Sequence, residues 1–289
     1  MLVEKGCIIG VGLLGGCLGL ALKKYGVARI IIGTSRTAAT MQKALEMGAI
    51  DQAESEMEGA VAGCDLVVIC TPVGLIPQVA ARIAPALSNG ALLTDVGSTK
   101  RRIVEALESL AGDFHFVGGH PLAGSEKTGV AHARADLFVD RTYFLTATPR
   151  SHEPALTRLR QIVEAIGARP VVLRPEQHDR LLACTSHLPH LLACLSVALL
   201  RQEGLSREQL KQTVGQGFRD VTRVAAGSGE VWADVLLSNA DYLAILLDRL
   251  SQALQGARCW LDRQTRTELL QWLDEVAEFR RLLGEDQSG

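Results

Sequence analysis

Hydrophobic positions follow two regimes along this chain. Up to about residue 174, apolar residues cluster in short runs: "GCIIG" from Gly6, "RIIIG" from Arg29, "DLVVICT" from Asp65, "ALLTDV" from Ala91, "FHFVGG" from Phe114 and "YFLTAT" from Tyr143. Each is too short for a helix and has the β-rich character of a strand. Stretches with helical or loop character separate them, such as "GCLGLALKKYG" from Gly16 and "TAATMQKALEMG" from Thr37. A helix-strand pair, "PALTRLRQIVEAIGA" then "RPVVLR", closes this half near Arg174. The alternation predicts a parallel, doubly wound α/β sheet of Rossmann type. Beyond it the β signal fades, and segments 178–202, 206–217, 230–256 and 265–283 carry Leu, Ala and Val at helical spacing. The expected organisation is a domain over 1–174 followed by an all-α domain over 175–289. Several of these helices are too apolar to face water on any side, so association into a homodimer through them is expected.

Composition narrows the functional classes. With 289 residues, 47% of them hydrophobic, the chain can build substantial cores. A formal net charge of −2 without a basic run argues against nucleic acid or an anionic membrane as partner, which leaves small molecules. Seven cysteines, an odd number without a C-x-x-C pair, suit reduced thiols in the cytoplasm better than a disulfide framework. The start "MLVEKGCIIGVGLLGG" reads as a strand entering a glycine turn rather than a signal peptide. Residues 181–200 lack Asp, Glu, Lys and Arg and so resemble a membrane span, but His187, Pro189 and His190 would sit near the bilayer centre, and a buried helix is the better expectation.

The chemistry begins with Gly10-Val11-Gly12-Leu13-Leu14-Gly15, a G-x-G-x-x-G placed between an apolar strand and an apolar helix. In that setting the glycines permit a tight turn, close approach of a pyrophosphate and close helix–strand packing, with the helix N-terminus supplying donors. Strand two ends Gly33-Thr34-Ser35-Arg36-Thr37, without the acid that holds a ribose 2′-hydroxyl. Hydroxyls of Thr34, Ser35 and Thr37 beside Arg36 favour a 2′-phosphate, hence NADP, with NAD possible and an acid at Gly33 or Thr34 expected to select it. Arg36 stacked on adenine in a solvated loop is the alternative. Cys70-Thr71-Pro72 and "TDVGSTK" from Thr94 lie at strand ends facing the same crevice, which places Ser98 near the nicotinamide unless it only caps the following helix. His120, in "GGHPLAGSEKTG", also follows a strand, with glycines that clear room for a ring, and it titrates in the range a general base needs.

"DVGSTK", "GGHPLAGSEKTG", "HD" at His178 and Asp179, "SHLPH" from Ser186 and "GFRDVTR" from Gly217, in this order after a dinucleotide fingerprint, resemble the prephenate/arogenate dehydrogenase family of tyrosine biosynthesis in its short, single-function form. The resemblance implies hydride transfer to the cofactor with loss of CO2 from prephenate or arogenate. It implies His120 as base, Ser98 bonded to His120 or to the substrate hydroxyl, and Arg223 on the ring carboxylate. His187 and His190 would share a helix face and, with Ser125, meet the substrate side chain. Arg219 is a further substrate candidate, or an ion-pair partner of Asp220. His178 and Asp179 are further substrate candidates, and Asp179 could meet the ammonium of arogenate or cap a helix. No metal is expected, because His178, His187 and His190 lack a cysteine or second carboxylate at ligand spacing. A β-hydroxyacid dehydrogenase would share the architecture but rely on a lysine of the helical half, where only Lys211 occurs, and an NADP-sensing module would need the fingerprint alone.

Overall fold

A computed structural model describes residues 1–124, 127–148 and 151–284. Its first sheet has six parallel strands, β1 (Val3–Ile9), β2 (Ala28–Thr34), β3 (Gln52–Ala53), β4 (Leu66–Ile69), β5 (Leu92–Asp95) and β6 (His115–Phe116), in the order β3-β2-β1-β4-β5-β6. Strand residues alternate between two apolar cores. Ile8, Ile31, Leu66 and Val68 face one side with Leu18, Leu22 and Leu159, whereas Cys7, Ile9, Ile32, Val67 and Ile69 face the other with Ile76, Ile83 and Ile103. Both faces are thus covered by helices, which is why the strands read as unbroken apolar runs. The helices responsible are α1 (Leu13–Lys24), α2 (Ala38–Glu46), α3 (Met57–Val61), α4 (Ile76–Ile83), α5 (Arg101–Glu108) and α6 (Glu153–Ala165). Strand order reverses between β1 and β4, opening the crevice at their carboxyl ends where such sheets bind ligands.

The expected single sheet is in fact two. "FHFVGG" divides into β6 and β7 (Gly118–Pro121), and β7 joins β8 (Thr142–Thr146) and β9 (Arg169–Leu173) in a separate sheet, antiparallel between β7 and β8 and parallel between β8 and β9. Crowding explains the break. A Cβ on Gly119 would lie 2.5 Å from the carbonyl oxygen of Asp95 and 3.1 Å from the Tyr143 ring, so β7 crosses the end of β5 at a separation only glycine tolerates.

The helical half comprises α7 (Pro175–Leu182), α8 (Leu188–Gln202), α9 (Arg207–Thr213), α10 (Gln216–Thr222), α11 (Gly229–Ser238), α12 (Ala240–Arg263) and α13 (Arg266–Leu282). A π-helical turn, Ala183–His187, joins α7 to α8 into one rod over 175–202. Pro189 accounts for the turn: it has no amide hydrogen and its ring crowds the carbonyl four residues earlier, so the rod widens there instead of breaking. This rod is long and apolar enough to cross a membrane, yet its buried positions include His178, Asp179, His187 and His190, which face a polar cluster rather than lipid. The chain divides into two compact units, Met1–Ala240 and Asp241–Gly289. In the second, Trp260 and Trp272 meet with ring centroids 5.5 Å apart.

Candidate active site

The fingerprint glycines build a cradle. Gly10 sits at φ +95°, where an L side chain is strained, and a Cβ on Gly15 would strike the carbonyl oxygen of Gly10. Around Gly12 a Cβ would meet nothing within 4 Å, so backbone and helix N-terminus face open space. Two cavities meet there, sharing Gly12, Cys70, Thr71 and Pro72. One, of 230 Å³, runs along Thr34, Ser35 and Arg36. The other, of 300 Å³, is lined by Leu13, Leu14, Ser98, Gly124, Lys127 and Thr128 among others. Thr71 Oγ1 is buried between them without a protein partner, a hydroxyl that a ligand would satisfy. The donor-rich, glycine-cleared cradle fits a dinucleotide.

Two expectations for this region change. Thr37 Oγ1 accepts from the amide of Thr40, 3.2 Å away, so Thr37 caps α2 rather than facing the cavity. Gly33 has no room for an acid, since a Cβ there would lie 2.6 Å from Ile50.

Beside the crevice, Asp95 ends β5 and ties two loops together: one oxygen accepts from the Gly97 amide (2.8 Å), the other from the Gly119 amide (3.1 Å). Ser98 and His120, each one residue further on, are thereby held to one carboxylate. Lys100, fully buried, completes the arrangement with an ion pair to Asp95. Ser98 does not cap the next helix. That helix, α5, begins at Arg101, and its leading amides at Lys100 and Arg101 donate to the two oxygens of Asp179 at 2.7 and 2.9 Å.

Asp179 also accepts from Nδ1 of His178 (2.8 Å), and Nε2 of His178 lies 2.8 Å from Nδ1 of His120. A carboxylate can only accept here, which assigns every proton in the chain. His178 carries its proton on Nδ1, its Nε2 accepts from Nδ1–H of His120, and His120 keeps a lone pair on Nε2. Burial first, then the neighbouring His178 and the Lys100 ammonium, hold His120 well below the usual imidazole range. His178 is likewise lowered by burial, against which Asp179 pulls upward. Phe144 packs on both rings, centroids 6.2 Å from His120 and 5.3 Å from His178, and shields the pair from water.

His178 and Asp179 are both completely buried with their polar atoms engaged, so the direct substrate contacts expected of them are not what the geometry offers; they orient His120 instead. The glycines preceding His120 also serve packing rather than a substrate ring, Gly119 against β5 and Gly118 against Thr146 of β8 and Lys100, whereas Gly124 does line the cavity.

His187 and His190 share a face, as their spacing predicts. His190 stacks on Trp232 of α11 at 3.5 Å, and His187 meets the same indole edge-on. Burial lowers His187 to about 4. Asn239, just after α11, donates from Nδ2 to the carbonyl of Asp179 (2.8 Å) and to Nδ1 of His187 (3.1 Å). Trp232, Asn239 and Lys100 escape a sequence reading: Lys100 stands in the quoted "DVGSTK", but nothing in the pattern marks it as buried. Arg223 begins a short 3₁₀ turn, Arg223–Ala226, and is exposed, as is Arg219 on α10; neither lines the two crevice cavities. Ser125 lies outside the described residues.

A dinucleotide cradle beside a buried Asp-His-His series defines the class, a dehydrogenase built on a doubly wound sheet. The chain belongs to the prephenate dehydrogenase family: residues 18–172 match "Prephenate dehydrogenase, nucleotide-binding domain" and residues 174–275 "Prephenate dehydrogenase, dimerization domain". A cyclohexadienyl dehydrogenase of Zymomonas mobilis is 34% identical, covering 96% of each chain. The prephenate dehydrogenase of Aquifex aeolicus, solved with hydroxyphenyl propionate and NAD+, superposes with a TM-score of 0.89 at 30% identity, over 97% of this chain and 98% of that one. An arogenate dehydrogenase of Synechocystis gives 0.83 at 29% identity, over 97% and 100%.

Proposed function

We propose that this protein oxidises and decarboxylates prephenate, arogenate or both, yielding 4-hydroxyphenylpyruvate or tyrosine, in a cytoplasmic route to tyrosine. The observation that carries the reading is the proton assignment in Asp179–His178–His120, which leaves His120 Nε2 with the free lone pair that a base needs. The nicotinamide, when bound, supplies the acceptor for hydride from C4. His120 Nε2 takes the proton of the C4 hydroxyl, and the positive charge that forms is stabilised through His178 by the Asp179 carboxylate. The bonding pair between C1 and its carboxylate then fills the ring as CO2 departs, the C4 oxygen takes back the proton held on His120, and aromatisation supplies the driving force, so the protein mainly positions the substrate and shuttles one proton. Ser98 stands at the nicotinamide end of the cavity to bond the hydroxyl. His187 and His190 meet the three-carbon side chain, with Ser125 from the loop beyond His120, and Arg223 takes the ring carboxylate.

NADP is the cofactor this chain favours, because Ser35 and Arg36 line the adenosine-side cavity in place of an acid. With Asp179 sequestered, an ammonium partner at that position is gone, and both substrates stand on equal terms. Residues 1–174 form the nucleotide-binding part and 175–289 the substrate and dimerisation part, the active form being a homodimer. The test is an absorbance assay of the purified protein with prephenate and arogenate, each with NADP+ and NAD+. Turnover with one or both substrates, faster with NADP+, is the expected result; none with either removes the reading.

A further inference from the structure

Behind the His120 series lies a second proton assignment. The carbonyl of Asp179 can only accept, so the Asn239 atom 2.8 Å from it is the amide nitrogen, and the orientation of the whole carboxamide follows. That same nitrogen lies 3.1 Å from Nδ1 of His187. Nδ1 must therefore be the acceptor, and the proton of the neutral ring belongs on Nε2. This Nε2 is buried without a protein partner, on the side of the ring opposite Asn239. An unfilled buried donor is unfavourable, and the penalty is removed when an acceptor arrives.

We propose that Asn239 is a positioning residue: it fixes His187 as the Nε2–H tautomer, so that the ring offers a hydrogen-bond donor to an acceptor oxygen, carboxylate or ketone, on the substrate's side chain. The assignment of that acceptor rests on the function proposed above; the tautomer itself does not. The groups that face His187 are His178 and Asp179 on α7, His190 on α8, and Trp232 on α11. Asp179 is the only carboxylate among them, and its oxygens are already shared by two amides and His178. Protonation of His187 would set Nδ1–H against the Asn239 amide hydrogens, so the network opposes charge on this ring as burial does. The donor is neutral throughout the working range.

Nitrogen-15 NMR of histidine-labelled wild-type protein, with His187 assigned by its loss in His187→Gln, reads the tautomer directly. Pyrrole-type Nε2 with pyridine-type Nδ1 is expected, and the reverse pattern overturns the proposal. In Asn239→Asp the new carboxylate accepts from Nδ1–H, turning Nε2 into an acceptor. KM should then rise about tenfold near neutral pH, more than kcat falls, and recover as pH is lowered and His187 takes a second proton that restores Nε2–H. In Asn239→Ala the rise in KM should show no such recovery. A KM for Asn239→Asp that stays high at every pH would make Asn239 merely structural. If Asn239→Asp does not fold, the wild-type NMR pattern and Asn239→Ala still decide. Wild-type protein without turnover on either substrate would sink the function while leaving the tautomer result standing.

Discussion

His120 shows how a single imidazole acquires its role from its neighbours. Its lone pair on Nε2 follows from two hydrogen bonds that begin at a carboxylate, and its low basicity follows from burial beside His178 and Lys100. A base works only while unprotonated, and a depressed pKa keeps it so to lower pH. The acid limb of kcat/KM for the free enzyme should therefore lie below about 6.5, the ordinary imidazole value. His120→Asn should lower turnover by about 10²- to 10⁴-fold and abolish that limb, with cofactor affinity little changed; a near-normal rate would reduce His120 to a structural residue. At the other end of the crevice, Arg36→Ala should weaken NADP+ about tenfold or more while leaving NAD+ alone, because the 2′-phosphate is the only group that distinguishes them. Equal losses with both would mean that Arg36 stacks on adenine. An acid intended to favour NAD+ belongs at Ser35, which lines the cavity, and not at crowded Gly33.

Among the elements, the parallel strands and the glycine turn were legible because their causes are local: an apolar run, a tight turn, a helix start. The split between β6 and β7 was not, since it comes from the approach of Gly119 to Asp95, 24 positions earlier in the chain. The same limit applies at the site. The histidines of "SHLPH" announce themselves by type and spacing, but Trp232 and Asn239 matter only because α11 is brought against α7 and α8. Lys100 is the clearest case of a residue whose sequence context misleads, for "STKRR" looks like a solvated basic turn. The structure buries its ammonium against Asp95 beneath the strand that carries His120. Lys100→Met leaves that carboxylate buried without its cation and should cost about 3–5 kcal/mol of stability, measured by urea unfolding; a loss under about 1 kcal/mol would show that the two loop amides alone satisfy Asp95.

For the molecule as a whole, exposed apolar residues are concentrated in α12 and α13, where Leu254, Leu261, Trp272, Phe279 and Leu282 stand open to solvent. Such a surface needs a partner, and the match of this half to a dimerization domain supplies the expectation of a second copy. Sedimentation should show a dimer, and its midpoint of thermal unfolding should rise with protein concentration; a monomer with a concentration-independent midpoint would contradict this. One contact within Met1–Ala240 reaches further than its size suggests. The carboxylate of Asp179 takes up the amide of Lys100, the residue that caps α5, and that of Arg101, the first of α5, groups that at most helix starts trade hydrogen with water almost freely. In deuterated solvent the amides of Lys100 and Arg101 should instead be retained about as long as those of the sheet interior, and lose their label only when α7 lifts from α5. Their exchange would then time the opening of the protein around His120.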